Sequence, residues 1–316
     1  MVNGVNRSYS VHSDLGGWSI PYEKPGTRAP LVLPDNARVA VWVVPNVEFY
    51  EFMPDRNENL TAWPRTPAPD VMSYSYRQFG NTVGFWRMLD VLDQFDVRAS
   101  TSINLGVLDA FPEICRAMVD RNWEFMTHGL ANTKYLYGMS EADEAAFYQQ
   151  NIAEVKRLTG KRLKGMLGPA YTSTIATPRL MADAGLYYTA DFFIDDEPFD
   201  INVASGARLV GVPYTRQLNV AIVFKYTSME GDDFEQICRD QFDVLYAEGA
   251  DRPKVMCIAL HPYIIGQAHR VDSLANILSY IKGHDDVWWA TADEIADVHI
   301  SQVDSSPSAA IAGGLS

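Results

Sequence analysis

Three short apolar runs in this chain end in the same way, in a polar side chain beside a turn-making residue. Ala37–Val44 leads into Pro45-Asn46-Val47-Glu48. Trp123-Glu124-Phe125-Met126 leads into Thr127-His128-Gly129, and Lys254–Leu260 into His261-Pro262. Each run is too short for a free-standing helix and rich in β-formers, so each reads as a buried strand. Gly129 lets the backbone turn away directly after His128.

Between these runs lie helix signals. Asn81 caps a predicted helix running to about Phe95, with Phe85, Met88, Leu89 and Leu92 on one face. A second helix spans 106–121. Ser140 opens a third with a capping-box pattern, and Gly160 stops it. Further helices are expected over 175–185, 231–249, 271–282 and 291–299, and further strands over 98–105, 164–167, 187–193, 207–214 and 287–290. Strands that alternate with helices imply a parallel sheet with crossover helices. The expected architecture is α/β, a single closed or nearly closed barrel, with an open doubly wound sheet as the alternative. Residues 1–36 read as an irregular arm, 37–300 as the barrel domain, and the tail from 301 to 316 as disordered.

Charge narrows the partners. The 316 residues carry a formal net charge of −14, which argues against nucleic acid or an anionic membrane surface. No apolar run approaches the ~20 residues of a membrane span, and no secretory signal is seen. Cys115, Cys238 and Cys257 are odd in number and sit among apolar neighbours, so buried thiols and a reducing cytoplasm are expected. There is no Gly-x-Gly-x-x-Gly at a strand–helix turn and no phosphate loop, so no nucleotide cofactor is expected.

In a parallel barrel the carboxyl ends of the strands converge on one face. Glu48, His128 and His261 would then meet, with Asn46 beside them. Asp191, Asp195 and Asp196 follow the 187–193 strand and are candidates for substrate contacts. Residues 49–80 form a long loop, and Trp63, Tyr74 and Tyr76 in it are expected to wall a pocket. Histidines and carboxylates in one cleft can bind a metal or exchange protons with a substrate.

The order of these pieces resembles the polysaccharide deacetylase superfamily, the NodB-homology fold. The likeness is best to its allantoinase-like and cyclic-imide-hydrolysing branch. It is carried by Trp-Glu-Phe-Met-Thr-His-Gly, by Gly165-Met-Leu-Gly-Pro-Ala170, by the 184–199 stretch with Asp191 and Asp196-Glu-Pro-Phe, by Leu260-His261-Pro-Tyr and by Trp-Trp-Ala-Thr-Ala-Asp-Glu-Ile near the end. It covers most of 37–299. It implies a distorted (β/α) barrel, a homo-oligomer (dimer or tetramer) and hydrolysis of a small amide, cyclic imide or ureide. A saccharide N- or O-deacetylase and a non-catalytic binding protein are the alternatives.

The resemblance also assigns positions. Asn46 falls where the family has its acidic base, and Glu48 where it has an acidic metal ligand. His128 takes the first metal-binding histidine, and Asn132 the place of the second. No arginine precedes Pro169, where the family carries one. His261 matches the histidine of the acid apparatus. A divalent metal such as zinc would therefore have Glu48 and His128 as ligands and lack the usual third.

Overall fold

The computed structural model describes residues 11–13, 16–21, 24, 26–54 and 69–305. Its strands in chain order are β1 (Val11–Ser13), β2 (Trp18–Ile20), β3 (Val39–Val47), β4 (Ser100–Ile103), β5 (Glu124–Thr127), β6 (Gly165–Met166), β7 (Tyr188–Thr189), β8 (Phe199–Val203), β9 (Leu209–Gly211), β10 (Lys254–Leu260) and β11 (Val287–Trp289). Parallel ladders run β10-β3-β4-β5-β6-β7-β9. Among the described residues no ladder joins β9 to β10, so sheet pairing leaves the ring open there. One parallel bridge, Asn219 to Ala259, spans the gap between β9 and β10. The Val255 amide donates to the Asp196 carbonyl at 2.8 Å, and the Cys257 amide to Thr215 Oγ1 at 3.1 Å. The result is the α/β, distorted (β/α) barrel expected from the sequence.

Period-two alternation makes the barrel, because successive side chains on a strand face opposite sides. All nine residues of β3 are buried. Val39, Val41 and Val43 pack in the layer between sheet and helices. Ala40, Trp42 and Val44 join Met126, Leu167, Tyr188, Val210, Val255, Cys257 and Ala259 in a second core, which fills the barrel. Continuing the inward set by steps of two leads to Asn46 and Glu48 on β3, from Met126 to His128 on β5, and from Ala259 to His261 on β10. The three chemical residues thus stand at the carboxyl ends because they continue inward-facing rows. The three cysteines are buried and free.

Several local expectations change. The first helix starts at Val71, where the Asp70 carboxylate accepts from the Ser73 amide, and it continues through a π-helical turn at Gly80–Gly84 into Phe85–Gln94. Asn81 therefore lies inside a helix and is no cap. The expected 106–121 helix is two, Leu105–Ala110 and Pro112–Asp120, because Pro112 cannot continue the hydrogen-bond ladder. Part of the arm expected to be irregular is regular strand: β1 and β2 pair antiparallel, and β2 pairs with β8, a strand absent from the sequence reading. The last helix, Ala292–Ser305, carries helical structure five residues into the expected disordered tail. Residues 306–316 lie outside the described residues. Among the described residues no helix is long and apolar enough to cross a membrane.

Glu124 marks the opposite, amino-terminal end of the barrel. Burial, and then the charge of Asp293, push its pKa up to about 8, against the hydrogen bonds from Tyr188 and Ser100 and the charge of Lys164. Below pH 4.5 both folded and unfolded chains hold this proton. As pH rises from there to about 8 the unfolded chain releases it first, so Glu124 progressively destabilises the fold, by roughly a few kcal/mol in all. Glu124→Gln keeps an oxygen for Tyr188 and removes that penalty. A higher melting temperature than wild type at pH 8–9, with the gap shrinking towards pH 5, is the expected result. An equal gap at both pH values would contradict it.

Candidate active site

Glu48, His128 and His261 come together. Glu48 Oε1 is 3.3 Å from His261 Nε2 and 3.9 Å from His128 Nε2, and all three residues are buried. Glu48 Oε2 accepts a 2.8 Å hydrogen bond from the Tyr50 hydroxyl. That hydroxyl in turn accepts one from the Asn132 amide. Burial alone would raise the pKa of Glu48. The charge and hydrogen bond of His261, the charge of His128 and the Tyr50 hydrogen bond outweigh it and hold the carboxyl at about 2. Glu48 is thus ionised at any physiological pH. Tyr50 stays protonated, because burial and the Glu48 charge both raise its pKa.

The tautomer of His128 follows from its partner. Its Nδ1 is 2.6 Å from the Leu167 carbonyl, which can only accept, so Nδ1 carries the proton. Burial lowers the pKa of His128 despite the Glu48 charge and the Leu167 bond. The ring is then neutral near pH 7, and the Nε2 lone pair faces Glu48. Two acceptors 3.9 Å apart leave room for a donor between them. His261 has a different environment: Nε2 faces Glu48, while Nδ1 is buried with no hydrogen-bond partner among the described residues.

The supporting frame comes from other strand ends. Asn104, just after β4, accepts from the Phe49 amide at 2.8 Å and donates to the His128 carbonyl, tying the β3 and β5 ends together. Asn81 donates to the Glu48 carbonyl at 2.9 Å from within the π-helical turn. The extra residue of that turn packs Gly80 and Gly84 against Pro262 and Tyr263, where an added Cβ would lie within 3 Å of their backbone. Asp191 accepts from the Gly168 amide at 2.7 Å and from Ser173 Oγ at 2.9 Å. It thereby braces the Leu167–Gly168 turn that holds His128. Burial raises the Asp191 pKa to about 6, against those two hydrogen bonds.

The remaining candidates divide. Asn46 is buried and its amide donates to the Leu260 carbonyl at 3.1 Å, so it joins β3 to β10. It cannot act as a base, because an amide takes up no proton. Tyr76 packs edge-on to Tyr263, 5.3 Å between centroids, and borders the site. Tyr74 packs on Phe52 at 5.1 Å. Trp63 lies outside the described residues. Asp195 and Asp196 are not brought to the cleft. Asp195 pairs with Arg28 at 2.7 Å, in a cluster where Glu197 binds Arg252 and Lys254. The Asp196 carbonyl meets Val255, six residues before His261 on β10, or roughly 20 Å along an extended strand. This segment lies beside the start of β10, at the amino-terminal end of the barrel.

The sequence reading missed Tyr50, Asn81, Asn104, Arg77, Lys225 and Tyr263. Arg77 lies over the Tyr50 ring, 4.6 Å from its centroid. Lys225 Nζ is 3.2 Å from the Tyr263 hydroxyl. Arg77 and Lys225 bring positive charge to a site whose third motif lacks the expected arginine. The aromatic run Tyr74-Ser75-Tyr76-Arg77 was the available signal for Arg77; the 215–230 stretch around Lys225 has no periodicity to read.

The donor set does not fit a three-ligand zinc. Among the described residues no three His, Cys, Asp or Glu side chains are placed to hold one ion. Asn132 turns its amide nitrogen to Tyr50, and a neutral amide is a weak third ligand in any case.

Comparison with known proteins agrees with this geometry. The family model described as polysaccharide deacetylase matches residues 73–189. A Schizosaccharomyces pombe protein described as a polysaccharide deacetylase is 26% identical over 295 residues, covering 83% of this chain and 90% of its own. The solved structure of Puue allantoinase superposes with a TM-score of 0.77 at 29% identity, covering 88% of this chain and 97% of that one. A Pseudomonas aeruginosa PAO1 structure described as a polysaccharide deacetylase gives 0.76 at 28%, covering 86% and 95%. These likenesses to deacetylases and to an allantoinase indicate a hydrolase acting on carbon–nitrogen bonds. Over residues 73–189 the chain is similar to the polysaccharide deacetylases, and an allantoinase is among the structures it resembles.

Proposed function

We propose that the chain hydrolyses a C–N bond of a small amide, cyclic imide or ureide by water attack at the carbonyl. The observation that carries this reading is the Glu48–His128–His261 cluster, with two acceptors 3.9 Å apart and an unpartnered imidazole nitrogen beside them. A water that donates to Glu48 Oε1 and His128 Nε2 presents its oxygen to a substrate carbonyl. As that oxygen bonds to carbon, Glu48 takes a proton and the carbonyl electron pair moves to oxygen. His261, with its own proton on Nδ1, takes that proton from Glu48 at Nε2 over 3.3 Å. His261 releases a proton from Nδ1 to the leaving nitrogen as the C–N bond breaks.

The likeness to Puue allantoinase supports a compact substrate over a saccharide. A panel of hydantoins, cyclic imides, linear ureides and N-acetylated oligosaccharides, assayed with and without chelator and with added zinc, tests the reading. Turnover of a small cyclic or ureide substrate, unchanged by chelator, is expected. Turnover of the acetylated sugars alone, restored by zinc, would replace this reading with saccharide deacetylation.

A further inference from the structure

Lys225 has no role in the steps above, yet the fold holds its amine beside the site. Ile222–Tyr226 forms a π-helical turn that carries it. Its Nζ is 3.2 Å from the Tyr263 hydroxyl, 4.7 Å from the Tyr263 ring centroid and 5.5 Å from that of Tyr76. Among the described residues no carboxylate lies within ion-pairing distance of it, although the chain carries 40 acidic residues against 26 Lys and Arg. Tyr263 starts two residues after His261 and packs against its ring at 5.5 Å. Tyr76 and Arg77 are neighbours on the helix over Tyr50. Two cations therefore line the same stretch of wall next to His261, and the charge of Glu48 acts on both. Partial desolvation, and then the charge of Arg77, lower the Lys225 pKa to about 8 against the pull of Glu48, so the amine is still largely charged at neutral pH.

We propose that Lys225, seated between Tyr76 and Tyr263 and flanked by Arg77, receives an anionic group of the substrate, specifically a carboxylate borne by the small amide, imide or ureide. This rests on the hydrolase reading for the word substrate, but the anion subsite is a property of the wall itself. Tyrosine rings fix the ammonium by cation–π contact and leave N–H donors for an incoming anion. A carboxylate there would place the rest of a compact molecule against His261, two residues from Tyr263. Lys225 would act through binding, so its loss should appear in KM and in affinity.

Calorimetric titration with succinate, a small carboxylate that the site cannot hydrolyse, tests the subsite without any turnover. Wild type should bind it. Lys225→Met should bind at least tenfold more weakly, and Lys225→Arg should stay within about threefold of wild type. Thermal melts of both variants report whether they fold, and Lys225→Arg keeps the comparison open if the methionine variant melts early. Failure of wild type to bind succinate, or equal binding by the methionine variant, would overturn the proposal. Succinate binding lost in Lys225→Met, together with no turnover of any amide in the panel, would leave the subsite standing and sink the hydrolase reading alone.

Discussion

Glu48→Gln should lower kcat/KM by ~10²–10⁴, the usual contribution of a positioned base. The glutamine keeps an oxygen for the Tyr50 hydroxyl but can neither accept the water proton nor pass it to His261. The fold should persist, because the Glu48 backbone remains tied by Asn81 and the strand ladder. The pH profile of wild type carries a second signature. Glu48 titrates near 2, so it contributes no acid limb in the working range. Rate should instead fall as pH drops below about 6, where Asp191 takes up a proton, and protonation of His128, whose pKa burial lowers from its ordinary value, adds to the same limb. Each protonated form is the inactive one, so the limb lies on the acid side. A variant with full kcat/KM and a wild-type profile would rule out Glu48 as the base.

Replacing His261 should cost nearly as much, but unevenly. His261→Ala removes both the acceptor of the Glu48 proton and the donor to the leaving nitrogen. The expected loss is ~10²–10⁴ in kcat for a poor leaving group such as an alkyl amine. An imide or ureide nitrogen leaves with less help, so its loss should be about tenfold smaller. The measurement is kcat for wild type and variant across amides graded in leaving-group basicity. Losses independent of the leaving group would place His261 in positioning rather than in proton donation.

Much of this site was legible because strands are periodic. Once Ala40, Trp42 and Val44 are placed inward, Asn46 and Glu48 must follow, and the same count carries Met126 to His128. The helices were legible for the same reason, apart from breaks that depend on single residues such as Pro112. Asp195 and Asp196 were misplaced because proximity in sequence to Asp191 says nothing about which way an irregular segment runs. This one runs back to the amino-terminal end, where Arg28, Arg252 and Lys254 receive it. Arg77, Lys225 and Tyr263 were not visible as a group, since their juxtaposition depends on two π-helical turns and the close seat of Gly80 and Gly84 on Pro262 and Tyr263. No pattern in the sequence marks such packing.

The placement of the reacting atoms is tested most directly by a crystal structure with a tetrahedral phosphonamidate analogue of the substrate that the panel selects. One phosphoryl oxygen should lie about 3 Å from both Glu48 Oε1 and His128 Nε2, with the analogue's nitrogen facing His261 Nδ1. An analogue seated away from these three residues would contradict the account.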